Sequence, residues 1–291
     1  MDKQIIYIAG AGRSGSTLLD ICLGSLDHTF SLGESIFFVE NGLLENEYCS
    51  CGSKVQDCSF WATVTDRWER KRILSLETYQ KTQKDLLRNK NTLKNLYRNL
   101  FPTNVQHHYY NDLAKLYEII FDVSKKGVVI DSSKSAQYIL ILKKLPIDLK
   151  IFHITRSFSG VLNSTKKEFK KNPAQGIERD MKPQSFFYTL SIWITDNILS
   201  WLFSRGVHYQ RIKYENLVNK PTETLSEVIK FSDAELYLFE RRGPLKAEHL
   251  VAGNKMRMED KIYIQSSKPI KWEKAISKTE KRLAKLIDRF Y

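Results

Sequence analysis

The sequence predicts an α/β domain in three layers, with helices on both faces of a central, mainly parallel sheet and a helical insert. Three observations lead there. A short, continuously apolar run from Ile5 to Ala9 passes through a Gly/Ser turn straight into helical spacing at Leu18, Leu19, Cys22, Leu23 and Leu26. Three further apolar runs, at 127–130, 150–155 and 207–212, are each followed by polar residues and then by helical periodicity. Across 60–126 an amphipathic, polar pattern interrupts that alternation.

The chain of 291 residues, 42% hydrophobic and 12% aromatic, can bury one large core, and it is read as a single domain over 1–291 with its insert at 60–126. No apolar run approaches the roughly 20 residues of a membrane span, and no leader pattern precedes the first strand. A cytoplasmic protein with no membrane partner is expected. The net charge of +13, from 46 Lys+Arg against 33 Asp+Glu, attracts anions. Its basic residues are mixed with acids along helical stretches such as 81–98 and 278–289, and no nucleic-acid module is recognised, so no nucleic-acid partner is expected. Nothing in the sequence specifies an oligomeric state.

Ile5 to Ala9 is too short and too apolar for anything but a buried strand. In the turn after it, glycines let successive N–H groups converge on an anion, with the positive end of a helix dipole behind them. The spacing Gly10-x4-Gly15 copies the start of a P-loop, but Ser16 stands where lysine is expected, followed by Thr17, and the cation has moved to Arg13. Loss of the lysine argues against ordinary ATP or GTP chemistry with magnesium. A sulfuryl group carries less charge than a terminal phosphate, and a loop cation suffices for it.

The segment Gly12-Arg13-Ser14-Gly15-Ser16-Thr17-Leu18-Leu19 resembles the 5′-phosphosulfate loop of the sulfotransferases that use 3′-phosphoadenosine 5′-phosphosulfate (PAPS). Its arginine version resembles the Golgi, tyrosylprotein and bacterial branches. The resemblance implies a P-loop-like three-layer fold, PAPS as donor with no metal required, and donor binding by Gly12, Arg13, Ser14, Gly15, Ser16 and Thr17.

Residues 30–32 form a short strand candidate ending at Gly33-Glu34, and a helix follows through Ile36, Phe37, Val39 and Leu43. A carboxylate just past a strand end lies where open α/β sheets bind ligands. Glu34 is either an acid favoured by a helix N-terminus or the general base, as the likeness of Leu32-Gly33-Glu34 to the tyrosylprotein branch implies. Cys22 belongs to an apolar helix face. Cys49-x-Cys51-Gly52-x5-Cys58-x2-Trp61 is read as a structural knot, resembling segments of bacterial sulfotransferase-like sequences. Three thiols could begin a zinc site, but no fourth ligand stands nearby and the paired Cys-x2-Cys spacing is missing, so no metal is assigned. Disulfides are disfavoured in a reducing cytoplasm. The insert reads as several helices broken near Pro102 that cover the site and shape an acceptor pocket; His107, His108, Tyr109 and Tyr110 are acceptor contacts or a solvated helix junction.

The strand at 127–130 delivers Asp131-Ser132-Ser133-Lys134 to its carboxyl end. The serines suit helix capping, and Lys134 faces the transferring group or the acceptor, or pairs with Asp131. The strand at 150–155 ends in Arg156, and Ser164 follows two helical turns later, so a guanidinium fork and a hydroxyl reach one phosphate. The resemblance makes this pair the 3′-phosphate site. Residues 172–182 form a polar loop over the site. The helix at 184–205 is expected to bury Phe187, Leu190, Trp193, Ile194, Ile198 and Trp201, and Tyr214 and Glu215 support the end of the last strand. In the segment from His249 to Arg257, the residues Gly253, Asn254 and Arg257 either close over the nucleotide, as in bacterial relatives, or form a surface turn. The helix at 278–291 packs back on the domain.

Together these readings predict a sulfotransferase that moves the sulfuryl group of PAPS to a hydroxyl or amine of a small-molecule acceptor, with Glu34, Arg13 and Lys134 as catalytic residues and Glu34 as base. A P-loop small-molecule kinase using ATP and magnesium, or a nucleotide-binding module without catalysis, are the alternatives.

Overall fold

The computed structural model describes residues 3–88, 91–232, 244–266 and 270–291. Its strands are β1 (Gln4–Ala9), β2 (Thr29–Ser31), β3 (Val128–Lys134), β4 (Asp148–Thr155) and β5 (His208–Lys213). They form one sheet in the order β2-β3-β1-β4-β5, and every pairing is parallel. All carboxyl ends therefore open on one edge, where doubly wound sheets bind ligands. The helices are α1 (Ser16–Gly24), α2 (Ser59–Glu69), α3 (Leu76–Leu87), α4 (Thr92–Leu100), α5 (Asn104–Ser124), α6 (Ala136–Leu142), α7 (Phe158–Thr165), α8 (Phe186–Phe203), α9 (Tyr214–Asn219), α10 (Pro221–Ser232) and α11 (Lys278–Asp288).

The period-2 alternation of the central strand divides the core. Ile5, Tyr7 and Ala9 pack into one cluster with side chains of α2, α3, α5 and α6, whereas Ile6 and Ile8 pack into a second with α1, α9 and α10. The insert is thus a full helical layer. Its apolar stripes, Trp61, Val64 and Trp68 on α2 and Leu113, Leu116, Tyr117 and Ile120 on α5, are all buried against the sheet. Local chemistry starts these helices: Thr103 and Gln106 make a capping box for α5, and Ser277 and Glu280 make another for α11.

One element departs from expectation. On α8 the residues Phe187, Ile194, Ile198 and Trp201, expected in the core, are exposed, Phe187 at 76%. The helix is apolar on nearly every side, yet it lies on the flank beside α6 and α7 and buries only Phe186, Thr189, Ser200 and Phe203. No helix among the described residues is long and apolar enough to cross a membrane.

Candidate active site

The carboxyl edge of the sheet carries a cleft of about 770 Å³, within the range of small-molecule sites. Gly12, Arg13, Gly15, Ser16, Thr17, Glu34, Lys134, Arg156, Ser164, Gly253 and Asn254 all line it. Two sequence candidates do not. Ser14 is fully buried in the loop, its hydroxyl without a hydrogen-bond partner. Arg257 is taken up inside the protein.

The turn between β1 and α1 is shaped by positive backbone angles at Gly10, Arg13 and Gly15. At Gly15, φ is +95°, and a Cβ would stand 2.3 Å from the Tyr214 ring, so both conformation and space demand glycine. No side chain caps α1, and its first turn holds no acid. The amides there have no intrahelical acceptor and face the cleft with the helix dipole behind them. Burial lowers the pKa of Arg13, nearby Arg156 adds to the lowering and Glu34 opposes it. Two guanidiniums sharing a cleft are relieved by an anion placed between them.

Arg156, at the end of β4, donates from Nη1 to the carbonyl of Arg13 at 3.0 Å and lies over the Tyr214 ring at 4.2 Å. Tyr214 therefore touches both the loop, at Gly15, and the guanidinium. Glu215 accepts from the Ser157 amide at 3.1 Å at the start of α7, the helix that carries Ser164 into the same cleft. Tyr214 and Glu215 are supports, and Tyr214 also forms part of the wall.

Glu34 follows β2 and pairs with Lys134, the last residue of β3. A bulge places them together: β1 pairs Tyr7 with Asp131 but Ala9 with Lys134, so β3 carries one extra residue and Lys134 turns with φ of +67°. Asp131 does not reach the cleft. Its carboxylate is fully buried and accepts from Ser35 Oγ, Tyr117 OH and both N and Oγ of Ser133, and burial raises its pKa. It ties the segment after Glu34 to the strand end before Lys134. Behind it, Ser132 Oγ donates to Asp20 on α1 at 2.6 Å, and burial pushes the Asp20 carboxyl up to about 7. Tyr117 and Asp20 escaped the sequence reading, since a helical Tyr and Asp resemble surface or core residues until the strand end is packed on them.

Gly253 and Asn254 lie over the loop. The Asn254 amide donates to Thr17 Oγ1 at 3.2 Å, and a Cβ on Gly253, whose φ is +131°, would stand 3.3 Å from Thr17 and 3.5 Å from Glu34. Arg257 corrects the expectation that it meets the nucleotide. Its side chain has no exposed surface, and it donates to the carbonyls of Tyr48 and Leu250 and pairs with Glu178 at 3.0 Å. A 3₁₀ turn after Asn254 points it inward. Among the described residues none from 60–126 lines the cleft, so the insert is not the expected wall. Its contribution is indirect, through α3 and the Lys84–Glu40 pair beneath the segment 37–45. The outer wall is the 169–181 loop, with Lys171 and Arg179 adding charge that was not singled out in the sequence. That loop is tied down where Glu178 meets Arg257 and Asn41, and Lys171 meets Glu47.

The cysteine knot also gains a member. His249, nearly two hundred residues on, brings its ring to Cys49, Cys51 and Cys58.

The sequence model of the Sulfotransferase family matches residues 5–237. No curated protein matches the chain. Among solved structures, the sulfotransferase domain from the Synechococcus PCC 7002 olefin synthase is 23% identical, with 81% of this chain and 74% of that one covered and a TM-score of 0.45. The sulfotransferase domain from the curacin biosynthetic pathway is 17% identical over 97% of this chain and 96% of that one, with a TM-score of 0.46. Sulfotransferase STF9 from Mycobacterium avium is 10% identical over 81% of this chain and 65% of that one, also at 0.46. Because the family match spans the sheet, the loop and the Arg156 strand end alike, the chain belongs to the sulfotransferase family.

Proposed function

We propose that this protein transfers the sulfuryl group of PAPS to a hydroxyl or amine of a small-molecule acceptor, as a cytoplasmic enzyme of metabolite modification. The observation that carries the proposal is the contact of Arg156 with the Arg13 carbonyl at 3.0 Å. Two anion-binding motifs 143 residues apart in sequence open on one cleft, as an adenosine charged at both ends requires.

The residues fit such a donor. Uncapped amides at the start of α1, with Arg13, Ser16 and Thr17, bind the 5′ anion. Arg156 and Ser164 bind the 3′-phosphate, the guanidinium through its planar fork. Gly253 and Asn254 close the loop by way of Thr17. When bound, PAPS supplies an activated sulfuryl group on a phosphate leaving group. Glu34 accepts the acceptor's proton at its carboxylate, and Lys134 orients that carboxylate through their ion pair until the acceptor arrives. Arg13 and the loop amides stabilise the charge that develops on the departing oxygen. In this reading, no step needs a metal.

The test uses labelled PAPS against a panel of hydroxyl- and amine-bearing metabolites in magnesium-free buffer. Wild type should transfer label to at least one acceptor. Glu34→Gln should bind 3′-phosphoadenosine 5′-phosphate (PAP) within about threefold of wild type while losing roughly 10²-fold or more of its turnover. Turnover that survives Glu34→Gln assigns the base elsewhere. Strict magnesium dependence with ATP as donor would favour a kinase, and donor binding without transfer a binding module.

A further inference from the structure

Outside the cleft, the fold builds a second cluster of reactive side chains. Cys49, Cys51 and Cys58 come from the loop before α2, and His249 from the segment that leads to Gly253 and Asn254. The three sulfurs and one imidazole nitrogen all lie within 4.8 Å of one another. His249 Nδ1 is 3.2 Å from Cys58 Sγ and 3.8 Å from Cys49 Sγ. A tetrahedral zinc ion, with Zn–S near 2.3 Å and Zn–N near 2.0 Å, sets its ligand atoms roughly 3.5–3.8 Å apart. All the cysteines are free.

From this geometry we propose that Cys49, Cys51, Cys58 and His249 bind one zinc ion as a closed structural site. Thiolate and imidazole donors in a tetrahedral array select zinc over magnesium, calcium or manganese. Four protein ligands leave no open position, and none of the four lines the cleft, so the ion takes no part in transfer. On binding, the three thiols release their protons to solvent.

The surroundings are those of a held ligand set. The His249 ring stacks on Phe60 at 5.4 Å, and its carbonyl accepts from Trp61 Nε1 at 2.7 Å, which fixes the imidazole toward the sulfurs. The Ser50 amide donates to the Leu250 carbonyl at 3.1 Å, and the Leu250 amide donates to Ser50 Oγ at 2.8 Å. The ion would clamp the cysteine loop to the segment that continues through the Val251–Leu32 backbone bond to Gly253, Asn254 and Thr17. A disulfide would use only two of these four groups and leave an imidazole facing sulfur without a role.

The proposal is independent of the donor and acceptor assigned above, and its test does not use activity. The full chain, purified under reducing conditions from zinc-supplemented culture and dialysed against metal-free buffer, is measured for metal by plasma mass spectrometry and for zinc released on thiol titration with a mercurial. One zinc per chain is expected, released in step with three thiols. Cobalt exchanged into the site should give the ligand-field bands of a tetrahedral thiolate complex. Cys51→Ser, at the exposed ligand, should lower zinc affinity roughly tenfold or more with the far-ultraviolet circular dichroism unchanged. His249→Asn should alter the cobalt bands. The proposal is overturned by a folded, reduced wild-type chain that takes up no zinc even when zinc is added, by a disulfide within the cluster in the reduced preparation, or by full zinc affinity in both variants.

Discussion

A single methyl group at Gly15 should disturb both halves of the proposed donor site. Gly15→Ala places a Cβ at a residue with φ of +95°, which costs about 1–2 kcal/mol for an L side chain. The same Cβ stands 2.3 Å from Tyr214 Cδ2, a contact that cannot persist. Either the loop retreats or the ring moves, and repacking of this kind costs about 1–3 kcal/mol. The Tyr214 ring is also the surface on which Arg156 rests at 4.2 Å. The expected loss of stability is therefore about 2–5 kcal/mol, with PAP affinity reduced roughly tenfold or more, read by urea denaturation and by isothermal titration. Tyr214→Ala makes room for the methyl, so the double variant should lose less stability than the two single losses added together, with a coupling of about 1–3 kcal/mol. Strictly additive effects, or unchanged affinity in Gly15→Ala, would refute the claim that Tyr214 joins the loop to Arg156.

Two further substitutions test the frame behind the cleft. Asp20 holds its proton up to about pH 7 in the folded chain but gives it up in the ordinary carboxylate range when unfolded, so stability should fall as pH rises through that window. Between pH 5 and 8 the loss attributable to Asp20 is about 2–3 kcal/mol; Asp20→Asn, which keeps an oxygen for Ser132, should lack it in urea titrations, and equal losses in both proteins would contradict the assignment. Arg257→Met leaves the half-buried Glu178 without its cation and the Tyr48 carbonyl without its donor, so a loss of about 3–5 kcal/mol is expected, partly recovered by adding Glu178→Gln. Unchanged stability with collapsed PAP affinity would return Arg257 to the nucleotide.

The part of the cleft proposed for the donor could be picked out in the sequence because its residues are local. A strand, a turn rich in glycine and a helix stand within 5–26, and Arg156 and Ser164 are eight residues apart on one strand end and its helix. What stayed hidden depends on which surfaces meet in space. Arg257 and Gly253 are neighbours in sequence, yet a short 3₁₀ turn, Lys255–Met258, sends one side chain inward while the other residue faces the cleft. His249 becomes a partner of the cysteines only because β2 and the 249–254 segment lie together, as the Val251–Leu32 bond shows. The helical insert misled for a related reason. Its periodicity gives an apolar stripe without naming the surface that the stripe covers, and that surface is the odd face of β1. For α8, a helix apolar all round reads as buried, but one packed flank cannot cover every side.

The most direct test compares PAP with adenosine 5′-phosphate, which lacks only the 3′-phosphate, by isothermal titration against wild type and Arg156→Ala. Charge-assisted bonds from Arg156 and Ser164 are worth about 1.5–3 kcal/mol each, so wild type should prefer PAP by roughly tenfold or more, and Arg156→Ala should erase most of that preference while leaving adenosine 5′-phosphate binding within a few-fold. Equal affinity of wild type for the two nucleotides, or a preference for PAP that survives Arg156→Ala, would contradict the assignment of the cleft to a doubly charged adenosine donor.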